Sequence, residues 1–376
     1  MLPKETYFQQ AVFNDELKRL FGTGYQYVGL TDDLTNNRDF LCFDHGGASI
    51  VVQNFKGVIK AFKNVCSHMF AKIQMEERGN RPLLCRYHGW SYDETGYPSG
   101  MPNRPDFVTS GERDPNLCLT EYPVETVGRF VFVKRSETGQ SLQQFLGRFH
   151  QVLLDFSRYM GPEIHYSNLR HAANWKLLLE NVLDIAHCAV LHKDSFVPLG
   201  FCRVGIQDIQ IEGGHSSHHA PRSEVEDENI RRRFLSHLRK REFHHDTFYH
   251  INIFPNLLVA STEGISFYVG HVLPIGPAET ILRIRYFEPA VELTAPRHRA
   301  RQDMLNEQTN ANGTKIIDED RLVLEGVQQV IQTADRPGRI GRSEARVRAF
   351  HEHDQEQMGM TSPPLQAVRV GQAQLG

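Results

Sequence analysis

Two short stretches of this chain hold metal-binding side chains at close spacing: Cys66-Ser67-His68 and Cys85-Arg86-Tyr87-His88. Each offers one thiolate and one imidazole, and a loop that turns back on itself can bring such a pair to one centre. A zinc ribbon or finger groups its ligands differently, as in Cys-x-x-Cys with His-x-x-x-His. Mixed pairs suit a two-iron, two-sulfide cluster in which one iron takes both cysteines and the other both histidines. A buried cysteine beside a chance histidine explains either pair alone. Two mixed pairs, with Gly89-Trp90-Ser91-Tyr92-Asp93 behind the second, favour the cluster.

A second constellation lies at the end of a strongly apolar segment, Asn174 to Leu191, which reads as one helix. Asp184 and His187 are three apart and share a helix face. His187 and His192 are five apart, roughly 140° around an ideal helix. Both reach one metal only if the helix bends or ends between them. Two histidines with a carboxylate from elsewhere would form the open-sided triad of non-haem Fe(II) oxygenases. The plainer reading is a helix whose histidines pack or face water. Cys188 reads as a packing residue. His215, His218, His219, His244 and His245 read as a metal-rich patch or as a mobile polar segment, and the segment is preferred.

These residues need two kinds of scaffold. Residues 8–21 are periodic as an amphipathic helix, stopped by Gly22. From Gln26 the period changes to short apolar runs at 27–30, 40–43, 49–52 and 57–62, closed by Val124 to Val133. That pattern predicts an antiparallel sheet with the Cys/His pairs on loops between strands. Helix is predicted at 141–159, 174–191, 295–307, 317–333 and 343–358. Strands are expected at 248–262, 266–274 and 280–287, and a loop-plus-helix insertion at 211–250, where Arg231-Arg232-Arg233 and Arg239-Lys240-Arg241 lie. A length of 376 residues favours two domains. Lysine and arginine number 42 against 45 acids, so no basic field points to nucleic acid. The amino terminus has no apolar signal core, and the longest uncharged run, 264–278, falls short of a membrane span. Six scattered cysteines suit a reducing cytoplasm.

With both constellations in hand, the chain resembles the catalytic α subunits of Rieske non-haem iron oxygenases over nearly its whole length. The marks are the two Cys/His pairs with Gly89-Trp90, Asn174-Trp175-Lys176, Glu180-Asn181, Asp184-x-x-His187-x-x-x-x-His192, Phe254-Pro255-Asn256, and Glu319-Asp320 with Glu325 and Gln328. The resemblance implies an α+β fold. A β-rich Rieske [2Fe-2S] domain would span 26–134, and a helix-grip (START-like) catalytic domain with an antiparallel sheet 135–376. The helix of residues 1–25 would pack on the latter. It implies Cys66, His68, Cys85 and His88 as ligands of one [2Fe-2S] cluster per chain. It also implies His187, His192 and Asp320 as ligands of one mononuclear Fe(II). Asp318 and Glu319 adjoin Asp320, and the acid pair followed five residues later by Glu325 selects Asp320. The family's counterpart of Asp184 joins a histidine ligand of its own iron to a cluster histidine of the next subunit, here His187 and His88. A ring of subunits, usually three, follows from that bridge. One departure stands out: after the first Cys/His pair the family usually has Arg-Gly, and this chain has Met69-Phe70.

The activity so implied is that of a terminal oxygenase. NAD(P)H electrons would arrive through a separate reductase, with or without a ferredoxin, because no flavin or nicotinamide fingerprint is present. O2 would be activated to hydroxylate or oxidatively demethylate a small organic substrate. An aromatic or heteroaromatic acid is preferred. A quaternary ammonium or N-methyl compound is the alternative, disfavoured because some such members carry Glu where this chain has Asp184. Pocket walls are expected from residues after His192, the 248–272 strands and the 200–245 segment. A β subunit is left open. Respiratory-chain Rieske proteins brace each loop with a disulfide cysteine, and neither loop here has one. The rivals are an electron-transfer or ligand-sensing protein without oxygenase activity, and a zinc hydrolase using His187 and His192.

Overall fold

Short apolar runs bounded by Gly, Asp and Asn build the first third of the chain as sheet. The computed structural model describes residues 1–45, 47–109, 113–136, 139–201, 207–222, 247–293 and 295–360. After a helix, α1 (Gln10–Arg19), come β1 (Tyr25–Leu30), β2 (Asp39–His45), β3 (Ala48–Phe55), β4 (Val58–Lys63) and β5 (Arg78–Asn80). They are followed by β6 (Ser91–Tyr92), β7 (Pro98–Gly100), β8 (Glu121–Tyr122), β9 (Val124–Val127) and β10 (Phe130–Lys134). A five-stranded antiparallel sheet runs β5-β2-β3-β4-β8, a three-stranded one β1-β10-β9, and β6 pairs with β7. One Cys/His loop leaves β4 and the other enters β6, as the sequence pattern predicts.

The second part of the structure is a seven-stranded antiparallel sheet between two layers of helix. Its order is β11-β17-β16-β15-β14-β13-β12. The strands are β11 (Met160–His171), β12 (Gln207–Glu212), β13 (His215–Pro221), β14 (Thr247–Ile253), β15 (Leu257–Thr262), β16 (Ser266–Gly276) and β17 (Glu279–Pro289). On one face, α2 (Leu142–Leu146) and α3 (Phe149–Tyr159) pack Phe149, Leu153 and Phe156 against Ile251, Val259 and Phe267. On the other lie α4 (Trp175–Leu183), α5 (Cys188–Leu191), α6 (Pro296–Val330) and α7 (Ala345–Gln357). There Trp175, Leu179 and Phe350 share a core with Leu258, Val272 and Ile284 from the strands. Leu2, Tyr7, Leu20 and Phe21 of the N-terminal segment join that same core. The sheet domains meet at Arg285, buried between Asp33 at 2.5 Å and Glu163.

Several sequence expectations change. The helix expected at 141–159 is split at Gly147, which takes φ +51 and leaves no room for a Cβ beside Glu212. The helix expected at 174–191 ends at Leu183 and restarts as α5. The helices expected at 295–307 and 317–333 are one 35-residue helix. Its Gly313 reads as a breaker, yet a Cβ there would strike the Tyr286 hydroxyl, so the glycine serves a close approach. The 211–250 segment is not a loop-plus-helix insertion at its ends, which are β12, β13 and β14. Its middle, with both Arg/Lys triplets and His244 and His245, lies outside the described residues. β11 escaped notice because it is a half-exposed edge strand rich in polar residues. Among the described residues, no helix is long and apolar enough to cross a membrane.

Candidate metal centres

The two Cys/His loops are one backbone shape used twice. Cys66 N donates to Ala71 O and Cys85 N to Trp90 O, each at 2.8 Å. Phe70 N reaches Cys66 O, and Gly89 N reaches Cys85 O, each at 3.0 Å. Isolated bridges, Val65 to Lys72 and Leu84 to Ser91, close the two loops. The fourth residue after each cysteine is left-handed: Gly89 at φ +76 and Phe70 at φ +60. That conformation suits glycine, so Phe70 stands where this turn disfavours a Cβ. Both cysteines are 1% exposed, whereas His88 is at the surface and His68 is half-buried. The His68 and His88 rings lie 4.5 Å apart, and His68 stacks on Trp90 at 4.9 Å.

This arrangement fits a two-iron cluster. Burial raises the Cys85 thiol above its ordinary value, and the neighbouring Cys66 adds to the rise. A metal bound there would take both as thiolates and release their protons. His68 Nδ1 is buried with no hydrogen-bond partner, as an atom kept for a metal would be. The Tyr92 hydroxyl stands 3.1 Å from Cys66 Sγ and from Ser67 Oγ. Hydrogen bonds to cluster sulfurs help to set the reduction potential. The sequence alone does not single out Tyr92, whose proximity to the sulfur comes from the turn of β6.

The second centre depends on where α4 stops. Asn174 caps its start, accepting from Lys176 N at 3.0 Å, while its own N–H is held by Gln328 at 2.8 Å. Trp175 Nε1 donates to Glu16 at 2.9 Å, and Lys176 forms a wholly buried ion pair with the same carboxylate. Glu180 accepts from Tyr7 at 2.6 Å and from His351 at 2.8 Å. The Asn-Trp-Lys and Glu-Asn marks thus anchor α4 to the N- and C-terminal segments. Asp184 ends the helix in extended geometry and accepts from Ala186 N at 2.8 Å. His187 and His192 then flank the four-residue α5, with ring centroids 5.2 Å apart. The break removes the 140° separation that a continuous helix would impose.

Three adjacent acids on α6 have three different jobs. Asp320 Oδ1 lies 3.0 Å from His192 Nε2 and 3.6 Å from His187 Nε2. It is buried without an aligned hydrogen bond. Metal bonds of about 2.0–2.2 Å place neighbouring ligand atoms about 3 to 3.5 Å apart, so this spacing fits a shared ion. Glu319 holds His192 from the other side, Oε2 to Nδ1 at 2.7 Å. Asp318 pairs outward with Arg321 at 2.8 Å. Asp184 Oδ2 stands 3.5 Å from His187 Nδ1, so each imidazole has an acid behind it that leaves Nε2 for a metal. Glu319 is the orienting acid that sequence reasoning left as a mere neighbour of Asp320. Burial lowers both imidazoles, and the acids around them outweigh it and hold each at about 9. Metal binding there releases protons.

Cys188 is also near, with Sγ 3.8 Å from His187 Nε2, and His187, Cys188 and His192 place ligand atoms within 4.8 Å of one another. Asp320 is the better third ligand. It lies closer to His187 Nε2 than the sulfur does, and a carboxylate beside two imidazoles is the ligand set of an open-sided iron site.

His187, His192 and Asp320 open on a cavity of about 420 Å³. Phe196, Phe201 and Phe248 pack together along it, with Phe196 5.1 Å from Phe201 and 5.3 Å from Phe248. The expected wall segments are therefore present, and α6 adds a wall that sequence reasoning omitted. His215 and His218 are buried strand residues, not part of a mobile polar segment.

A model described as the ring hydroxylating alpha subunit (catalytic domain) matches residues 157–360, and one described as the Rieske [2Fe-2S] domain matches 24–123. Over 197 residues the chain is 26% identical to the glycine betaine monooxygenase oxygenase subunit of Pseudomonas aeruginosa, covering 51% of this chain and 45% of that protein. It is 29% identical over 207 residues to the large oxygenase component of a Ralstonia salicylate 5-hydroxylase, covering 51% and 48%. The matched part thus spans about half the length of these relatives. Among solved structures, a quaternary ammonium Rieske monooxygenase in complex with L-carnitine superposes with TM-score 0.72 at 20% identity, covering 95% and 94%. Naphthalene 1,2-dioxygenase from Rhodococcus gives 0.74 at 19%, covering 96% and 95%. These structural likenesses establish the fold.

Proposed function

This chain belongs to the ring hydroxylating alpha subunit family, with a Rieske [2Fe-2S] domain ahead of the catalytic domain, and on that premise we propose that it is the terminal oxygenase component of a multicomponent system. The cofactors this family brings are one [2Fe-2S] cluster and one mononuclear iron. Cys66, His68, Cys85 and His88 would hold the first, and His187, His192 and Asp320 the second. When bound, the cluster relays electrons and the iron supplies O2 activation. The observation that carries the reading is Asp320 Oδ1 facing both histidine Nε2 atoms on the wall of a largely apolar cavity.

The chain's own residues bind, orient and shield. Glu319 holds His192 at Nδ1 and Asp184 stands 3.5 Å from Nδ1 of His187, so the Nε2 atom of each ring would be left for the iron. The phenylalanine wall takes the apolar body of a substrate and keeps water from it. Asp184 is 24% exposed on its side chain, which leaves it free to accept from a second imidazole as well as from His187. His88 of a neighbouring subunit is the proposed donor, in a ring of three. Exposed Phe70, Tyr87, Val190 and Leu322 around the two centres suit such contacts. The redox partner is an NAD(P)H-dependent reductase, directly or through a ferredoxin.

The substrate reading is a small aromatic or heteroaromatic acid, in keeping with the salicylate 5-hydroxylase similarity. The glycine betaine relatives favour a second reading, oxidation of a quaternary ammonium compound. Metal and sulfide analysis tests the oxygenase itself: three irons for every two acid-labile sulfides are expected. Two for two after anaerobic reconstitution would sink the oxygenase in favour of an electron carrier or sensor, and zinc without iron would favour a hydrolase. O2 uptake with a surrogate reductase across both substrate classes, scored by product, separates the two readings.

A further inference from the structure

The cavity wall holds a charge that the metal chemistry does not use. Strand register aligns His218, His250, Ala260, Tyr268 and Tyr286 in one row across β13 to β17, and all five line the cavity. His218 and His250 are 2% and 3% exposed. Behind them sits Arg346 of α7, 1% exposed. Its Nη1 donates to His218 Nδ1, its Nη2 to His250 Nδ1 at 3.0 Å, and its Nε to Ser216 Oγ at 3.0 Å. None of these partners is an acid, and among the described residues no carboxylate pairs with Arg346. Arg222, which also lines the cavity, is by contrast taken by Glu263 at 2.7 and 2.9 Å.

A guanidinium has only donors, so each histidine Nδ1 must accept, and the ring proton of each then sits on Nε2. Among the described residues neither Nε2 has a hydrogen-bond partner. Two N–H donors therefore stand at the wall with a buried cation behind them. Burial first, and then Arg346, holds His218 down to about 2 and His250 well below its ordinary value, so both rings stay neutral. A metal ion does not suit this place, because the guanidinium repels it and no imidazole lone pair is left. An anion suits it on both counts, and it supplies the counter-charge that the guanidinium does not find among the described residues.

We propose that His218 and His250, backed by Arg346, form the subsite that binds the carboxylate of the substrate. This rests on the oxygenase reading and deepens it. The acid group is held at the sheet wall, while His187, His192 and Asp320 open on the same cavity from the helical side. Aromatic acids and carboxylate-bearing betaines share this anchoring group.

The test is calorimetric titration of the anaerobic holoenzyme with salicylate, anthranilate, glycine betaine and L-carnitine, each against its carboxamide. At least one acid binds, and its carboxamide binds at least about tenfold more weakly. Which acid binds distinguishes the two sources. Arg346→Met and His250→Phe bring the ratio towards one. His250→Gln keeps most of it, because the amide can accept from Arg346 and still donate into the cavity. If Arg346→Met does not fold, the two His250 variants decide. Equal binding of acid and carboxamide, no acid binding at millimolar concentration, or an unchanged ratio in His250→Phe overturns the proposal. Acid preference with only two irons per two sulfides would keep the subsite and remove the oxygenase. Three irons with turnover of neutral compounds and no acid preference would do the reverse.

Discussion

The two candidate metal centres are built on opposite principles. The cluster loops are local: four ligand side chains fall within residues 66–88, each pair on a turn closed by its own backbone hydrogen bonds. The iron centre is assembled from afar. His187 and His192 depend on α4 ending at Leu183, and Asp320 arrives from α6, more than a hundred residues later. A locally coded site tolerates change elsewhere in the fold. A site assembled by packing is sensitive to every element that sets its spacing, here Glu16 beneath α4, Gln328 at its cap and Tyr286 against Gly313.

The sharpest way to separate the centres is to remove one without touching the other. Asp320→Ala deletes the carboxylate that faces both histidines. Iron per two sulfides should fall from three to two, with the visible spectrum of the cluster unchanged and turnover abolished. Loss of cluster colour in that variant would show that the two centres do not form independently.

Next come the acids behind the imidazoles. Orienting partners of metal ligands are worth about 10–100-fold in affinity or activity. Glu319→Gln should weaken iron retention within that range, read by competition with a chelator. Asp184→Asn should leave both metals in place and largely abolish turnover if the proposed path between subunits runs through this carboxylate. Normal turnover in Asp184→Asn would refute the bridge, and an equal loss of iron in both variants would reduce Asp184 to a mere orienter.

At the cluster, Tyr92→Phe removes a hydroxyl 3.1 Å from Cys66 Sγ. Losing a donor to sulfur makes the reduced cluster less stable, so the reduction potential should fall while iron and sulfide stay bound. Protein-film voltammetry reads this directly. An unchanged potential would mean that the hydroxyl serves Ser67 alone.

Legibility in the sequence follows the same division. The two Cys/His loops and most strands around them could be read because residue type, spacing and turn chemistry sit together in a short window. His187 and His192 could be read only with a condition, that the helix end between them, and Asp184 in extended geometry supplies it. Glu319 was visible as an acid but not as a partner of His192, since no local pattern says which way a helix face turns. β13 resisted because its buried side chains are mostly histidine and serine, so the alternation of apolar and polar residues that marks a strand is missing, and β12 resisted because it is a largely exposed edge strand rich in polar residues. The 35-residue α6 spans the gap between the helices expected at 295–307 and 317–333; glycine propensity at Gly313 is local, whereas its fit against Tyr286 is tertiary.

The smallest effect is expected where the two cluster loops differ. Each turn is closed by the same two backbone hydrogen bonds, but the left-handed position is Gly89 in one and Phe70 in the other. A non-glycine residue there costs about 1–2 kcal/mol, and the added freedom of a glycine in the unfolded chain returns about 0.5–1 kcal/mol of that. Phe70→Gly should therefore stabilise the domain by up to about 1.5 kcal/mol, read as a small rise in the temperature at which the cluster bleaches. Phe70→Ala keeps the strain and should give no such rise. The ring is 82% exposed, so neither variant opens a cavity in the single chain. If Phe70 instead packs on a neighbouring subunit, both variants will weaken the assembly alike, and sedimentation will show it where bleaching of Phe70→Gly does not.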